Sequence, residues 1–314
     1  MRHDMKIGGD LDRLKFRLLP GEDRAYIARL RSRVVYSTMS AQGEPYGSIV
    51  LFHGVGSNAS RWEEFVERTP LKQHWQLIRM DLRGHGSSET KAPGTLENHA
   101  EDAVAILDAL GLQKAVFMGH SLGAHIALTV AQRYPQRVQA LVLVDPLIED
   151  ALTPAAKKKR AWRPLLRAIE CVARVAGCLG IRRRMPFYSL RAHDEKAREM
   201  LAQGGGALEA FIKEYSSPFK DLGHIHVADY TRDLLEISRI SPSIDGFQGP
   251  VLVVASSSGR ITYPEKMRSW TSTLAAGEMA TVNCVHWPFT ECPEEISRIV
   301  QDWISRACVA RHEA

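Results

Sequence analysis

A serine flanked by glycines, Gly119-His120-Ser121-Leu122-Gly123, stands between the apolar run Ala115–Met118 and a helical pattern in which Leu122, Ile126 and Val130 share one face. That context gives the G-x-S-x-G pattern its chemistry: a sharp strand-to-helix turn holds the hydroxyl exposed above a sheet, where it can attack an ester-like or thioester-like carbonyl. The glycines have a steric reason, since a Cβ at 119 or 123 would collide with neighbouring backbone on so tight a turn. Free N–H groups at the start of the following helix favour the negative charge that develops during attack. Five residues alone are weak evidence, so the weight rests on the flanking elements and on two further motifs in order.

The first of these is His53-Gly54-Val55-Gly56-Ser57, a Gly-rich turn after the run Ser48–Phe52. Acyl transfer places negative charge on the former carbonyl oxygen, and each preset backbone N–H donor there stabilises it by roughly 3 kcal/mol. Val55 and Leu122 are the expected donors; the plainer alternative is that these glycines only turn the chain. The second is Asn283-Cys284-Val285-His286-Trp287-Pro288, after the run ending at Val282. A histidine on the loop after a final strand can fold back over the sheet's C-terminal edge and serve Ser121 as general base, which makes His286 the candidate. His120 and His125 read as wall or packing residues and His53 as structural. His224 and His226 form an H-x-H without a nearby acidic or cysteine partner, which reads as solvated, so no metal and no cofactor are expected.

These side chains need a scaffold. From about Arg33 to Val144, short β-rich runs (Ser48–Phe52, Trp75–Asp81, Ala115–Met118, Val138–Val144) alternate with helical patterns, the mark of parallel strands joined by crossover helices. Ala103, Ile106, Leu107 and Leu110 make one helical stripe that Gly111 ends. From Leu147 to Ile240 helical segments replace strands. The strand pattern resumes at Pro250–Ala255, passes a helix near Glu265–Leu274 and a strand at Glu278–Val282, and closes on an amphipathic helix carrying Ile296, Ile299, Val300, Trp303 and Ile304. An interrupted and resumed sheet predicts one α/β core made of residues 1–146 and 246–314, with an inserted helical cap at 147–245.

Together, His53-Gly54-Val55-Gly56, Asp81-Leu82-Arg83-Gly84-His85-Gly86-Ser87, Gly119-His120-Ser121-Leu122-Gly123 and His286-Trp287-Pro288 with Pro293-Glu294 resemble the α/β-hydrolase superfamily from about Arg33 to Ser305. The resemblance implies a mostly parallel eight-stranded sheet with helices on both faces, a helical cap after strand 6, and no cofactor. It makes Asp81 and Arg83 a structural turn bonded to backbone. It also exposes a departure: the segment after strand 7, Pro250 to Pro264, where the family usually carries its acid, has no carboxylate, and Gly259 stands at the expected position. Asp145, at the end of Val138–Val144, is the best replacement, ahead of Glu149 and Asp150. The alternative is that Asp145 caps the turn before Pro146 and that Ser121 and His286 act as a dyad.

Composition bounds the rest. With 314 residues, 45% hydrophobic and 25% charged, the chain has the makeup of a packed globular protein. The lack of a long apolar run or of a hydrophobic core near the start predicts a cytoplasmic protein. Five scattered cysteines predict idle thiols. The net charge of +5 is concentrated between Lys157 and Arg191, where Glu170 is the sole carboxylate. There Trp162, Leu165, Leu166, Ile169, Val172, Ala173 and Ala176 form one helix face, expected over the active site, with Arg160, Arg163, Arg167 and Arg174 turned to solvent. A weaker reading is contact with an anionic surface, an acyl carrier or a coenzyme A phosphate; nothing supports nucleic-acid binding. The leading expectation is hydrolysis of a carboxylic ester with a hydrophobic or medium-sized acyl group. Alternatives are an acyl thioesterase and a non-catalytic receptor for a small molecule.

Overall fold

The computed structural model describes residues 17–309 except 182, 184 and 187; the leading sixteen residues and part of the basic run lie outside the described residues. Strands β1 (Glu22–Arg29), β2 (Ser32–Met39), β3 (Gly47–Phe52), β4 (Trp75–Met80), β5 (Ala115–His120), β6 (Val138–Val144), β7 (Val251–Ser256) and β8 (Gly277–Val282) form one sheet in the order β1-β2-β4-β3-β5-β6-β7-β8. β2 is antiparallel to β1 and β4, and the remaining pairs are parallel. Every expected strand run falls on a strand; β1 and β2 are additions, and their mixture of charged and apolar residues hides them from a search for apolar runs.

The central strands are apolar throughout because both faces are covered. Val50, Phe52 and Phe117 point into a core layer shared with α2 (Leu96–Ala109), α3 (Leu122–Arg133) and α10 (Pro264–Thr271). Their neighbours Ile49, Leu51, Val116 and Met118 point the other way, toward α1 (Glu63–Arg68) and α12 (Pro293–Val309). Each such side chain contributes about 1.5–3 kcal/mol by leaving water. α2 starts where the Thr95 side chain accepts from Asn98 N at 3.1 Å, and Gly111 (φ +69°) follows its end.

Strand order fixes the site. The chain leaves β3 to form β4 on one side, then crosses by α2 to form β5 on the other side of β3. The C-terminal ends of β3 and β5 therefore flank a topological switch point, where open α/β sheets leave a crevice. Val55 follows the first of these strands and Ser121 the second.

Between β6 and β7 the described residues form only helices: α4 (Pro154–Lys158), α5 (Arg163–Cys178), α6 (Leu190–Leu201), α7 (Ala207–Tyr215), α8 (Pro218–Asp221) and α9 (Val227–Ile237); α11 (Pro288–Glu291) precedes α12. α5 corrects the sequence expectation. It packs on α9 through its polar side: Arg163 donates to Leu235 O at 2.7 Å, while Glu170 accepts from Arg174 (2.7 Å) and Arg232 (2.8 Å). Its apolar side faces solvent, with Trp162, Val172 and Leu179 at 62%, 70% and 74% exposure. The physical reason is that α9 offers Asp229, Arg232 and the end of its own backbone at this contact, a surface that fits charges better than leucines.

Candidate active site

Ser121 ends β5 and caps α3 with φ +53° and ψ −112°, a region a non-glycine residue occupies only when its surroundings force it. The forcing is visible on both sides. A Cβ at Gly119 would strike the Gly123 carbonyl group, and one at Gly123 would strike Phe52 O and come within 2.8 Å of His53 O. Only glycines let strand, turn and helix approach this closely. Ser121 N donates to Val144 O at 3.0 Å, pinning the turn to β6.

Gly54 lies against this turn; a Cβ there would meet the Ser121 Cβ at 3.5 Å. The loop after β3 thus sits over the serine, and Val55 is next in the chain. Among the described residues, neither the Val55 nor the Leu122 N–H has a protein acceptor. Leu122 is the first residue of α3, where the helix itself supplies none.

Asp145 follows β6 and also holds positive φ (+46°). Its N–H donates to Val254 O at 2.7 Å, and its carboxylate accepts from Ser256 N and Ser256 Oγ, each at 3.0 Å. The remaining contact is a short hydrogen bond between Asp145 Oδ2 and His286 Nδ1. The segment after β7 has no carboxylate; the one that meets His286 follows β6, and β7 contributes Ser256 to hold it. Burial alone would raise this carboxyl, but the His286 charge and the hydrogen bonds from His286 and Ser256 outweigh it and hold it below the usual carboxylate range. A carboxylate only accepts, so Nδ1 carries the proton and Nε2 is left as the basic nitrogen.

Sequence reasoning missed what holds the histidine. Glu291, at the end of α11, accepts from the backbone N–H of Val285 (2.8 Å), His286 (3.1 Å) and Trp287 (2.9 Å). One carboxylate thereby fixes three consecutive residues of the base loop. Its only signal was an acidic residue five positions after His286. His120 adds a fourth tie: its Nε2 donates to His286 O at 2.8 Å, and burial pushes the imidazole down to about 3, so it is neutral. His125 is buried with Nε2 3.1 Å from Leu147 O, and His53 bridges Gly54 O (2.9 Å) and Leu82 N (3.1 Å).

Above the loop after β3 lies a cleft of about 50 Å³ walled by Gly54, Val55 and His120 from the sheet side. Its far wall comes from the inserted segment and is mostly polar, with Tyr188, His193, Tyr215, Asp221 and His224 beside Leu190. Arg61 is buried here, ion-paired with Asp194 of α6 and donating to Thr290 Oγ1 at 2.6 Å; Tyr215 OH donates to the same Asp194 at 2.7 Å. Burial pushes Asp221 up to about 7 against the hydrogen bond from Tyr230, and a Cβ at Gly56 would lie 2.6 Å from its carboxylate. His224, expected to be solvated, is buried instead, stacked on Tyr188 with Nε2 3.3 Å from Gly56 O. His226 is half-buried at the start of α9. Among the described residues no three His, Cys, Asp or Glu side chains gather to hold a metal.

The turn after β4 also differs in part. Asp81 accepts from backbone, Ala59 N and Ser87 N at 2.8 Å each, as expected. Arg83 instead forms a two-pronged pair with the Asp102 side chain, 2.6 Å on each arm. Asp102 lies on α2, so the pair joins the turn to that helix. Neither residue reaches the serine's surroundings.

A family model described as the alpha/beta hydrolase fold matches residues 47–293. A curated relative, the 2-(acetamidomethylene)succinate hydrolase of Mesorhizobium japonicum, is 34% identical over 140 residues, 43% of this chain and 50% of that one. The chain thus aligns with about half of that relative's length. Ethanol acetyltransferase 1 of Kluyveromyces marxianus is 23% identical over 90% of this chain and 80% of its own. Among solved structures, an enol-lactonase from Burkholderia xenovorans superposes with a TM-score of 0.64 at 21% identity, covering 90% of this chain and all (100%) of the other. A thermophilic esterase from Thermogutta terrifontis gives 0.62 at 20% identity, covering 91% and 99%. At such identities the superpositions speak for the fold, and the family match extends over most of the sequence: the chain belongs to the alpha/beta hydrolase fold family.

Proposed function

We propose that this protein is a serine hydrolase that cleaves a carboxylic ester through Ser121, His286 and Asp145, by way of an acyl-enzyme. The observation that carries the reading is the Asp145–His286 hydrogen bond on the same sheet edge as a serine in a strained turn. His286 Nε2 takes the Ser121 proton as Oγ attacks the carbonyl carbon; the oxyanion is met by the N–H groups of Val55 and Leu122. The imidazolium, stabilised by Asp145, then returns the proton to the leaving alcohol. Water, activated by the same histidine, attacks the acyl-enzyme and frees the acid.

The polar walls shift the substrate away from the hydrophobic acyl chain expected from sequence. With Arg61, Asp221 and the two tyrosines among the walls of the cleft beside Val55 and His120, a polar ester fits better than a long alkyl one. The inserted helices, in this reading, act as the cap that shapes this choice.

A panel of short, long and polar p-nitrophenyl esters with acyl-coenzyme A esters tests the proposal. Turnover of polar oxyesters is expected, with Ser121→Ala lowering kcat by about 10⁴-fold or more while the protein stays folded. Asp145→Asn should lower kcat by about 10³- to 10⁴-fold with little change in KM. Faster turnover of coenzyme A esters would make it a thioesterase, and a folded wild-type protein that cleaves no ester would favour a receptor. Near-normal activity in Ser121→Ala would end the proposal.

A further inference from the structure

We infer that α5 is a docking helix for an anionic phospholipid surface, lying along the headgroup plane with its apolar side inserted. α5 is amphipathic, but its polar side is the one the protein covers. Arg163, Glu170 and Arg174 are engaged by α9 and the turn after it, the first through Leu235 O and Ser238 Oγ at 2.7 and 2.6 Å. Trp162, Leu165, Ile169, Val172, Val175 and Leu179 are exposed, and none of them joins a hydrophobic cluster among the described residues. Sixteen residues in α5 give a helix of about 24 Å. A soluble monomer scatters its exposed apolar residues; a row of this length marks an interaction surface.

Charge chooses the occupant. Lys158 and Lys159, in the turns just before α5, are exposed and have no carboxylate partner among the described residues. Between Lys157 and Ile181 the sole carboxylate is Glu170, which is buried and already shared by Arg174 and Arg232. From these lysines along α5, the outward surface therefore presents apolar groups and cations and no carboxylate. Two copies paired through this face would set cation against cation with no acid to relieve them. A bilayer bearing anionic headgroups satisfies both parts, with apolar side chains entering the acyl boundary and the lysines at the helix start meeting phosphates. Trp162, beside the lysines at the helix start, is of the type that settles at such interfaces.

The test uses the full-length protein and sedimentation with vesicles of phosphatidylcholine alone or mixed with phosphatidylglycerol. Binding to the mixed vesicles is expected, weakened by salt, with a blue shift of emission that is lost in Trp162→Phe. Val172→Glu with Leu179→Glu, both on exposed positions, should remove binding while leaving turnover of a soluble ester unchanged. Lys158→Gln and Lys159→Gln should each weaken it by about fivefold. Three results would overturn the inference: no binding to phosphatidylglycerol vesicles at low salt, binding unaffected by the double glutamate variant, or a solution dimer that the same variant dissociates. None of these readouts depends on catalysis, so the inference and the proposed reaction stand or fall separately.

Discussion

α3 and α5 are both amphipathic by sequence, yet they end in opposite surroundings. α3 is covered from Leu122 to Ala131, with Gly123 against the β3 backbone, whereas Glu170 is the only fully covered residue of α5. In α3 the apolar stripe meets a sheet that is itself apolar, so stripe and core agree. In α5 the nearest element is α9, which presents charge, and the helix turns its ionic side inward. An apolar stripe thus says that a helix has two sides; the neighbour decides which one is buried.

The sharpest way to break this contrast is Gly123→Ala. The added methyl would strike Phe52 O, and backbone cannot yield as a flexible side chain can, so a loss above about 4 kcal/mol and little soluble protein are expected. Normal urea unfolding in this variant would show that the Ser121 turn has room for a Cβ at position 123. Next comes a matched pair of truncations. Leu128→Ala in α3 should cost about 2–5 kcal/mol, since the leucine is wholly buried. Leu165→Ala in α5 should stay within about 0.5 kcal/mol, since its side chain faces solvent. Equal costs would mean that α5 is covered in solution.

A smaller effect tests the polar seam between the two regions. Asp221 is held up at about 7 by burial, so the folded state binds a proton that the unfolded state has already released. Its contribution is present below the ordinary carboxylate range and fades as pH rises through about 7. Asp221→Asn removes that dependence. The variant should be the more stable form at about pH 8, with the gap closing toward about pH 4 in paired urea titrations. A gap that widens on acidification would reverse the assignment. Smallest of all, Gly177→Ala in α5 meets nothing within 4 Å and should raise stability by up to about 1 kcal/mol, the helix-propensity gain.

How far the sequence carried the reading follows from the range of each interaction. The central strands were legible because burial on both faces leaves uninterrupted apolar runs, and Gly119 and Gly123 because tight backbone contact tolerates no other residue. Asp145 could be reached only by elimination, from an empty position after β7. Arg61 carries no local signal, because its partner Asp194 is 133 residues away and no local pattern joins them. Glu291 was invisible for a different reason, since the groups it binds are backbone N–H, which every residue but proline carries.

The Arg61–Asp194 pair also bears on how substrate arrives. Arg61 comes from the segment after β3, Asp194 and Tyr215 from the inserted helices, and Thr290 from α11, so the cluster rivets three parts of the chain together. Swinging α6 and α7 away as a rigid flap would break this ion pair together with the hydrogen bond from Thr290 to Asp194. Traffic through the cleft is cheaper at its rim, where Lys220 and Glu214 form an ion pair in contact with solvent. Side chains there re-orient in picoseconds to nanoseconds, whereas hinge motions take microseconds or longer. Under the proposed function this rim would act as a fast turnstile of two charges rather than as a slow door.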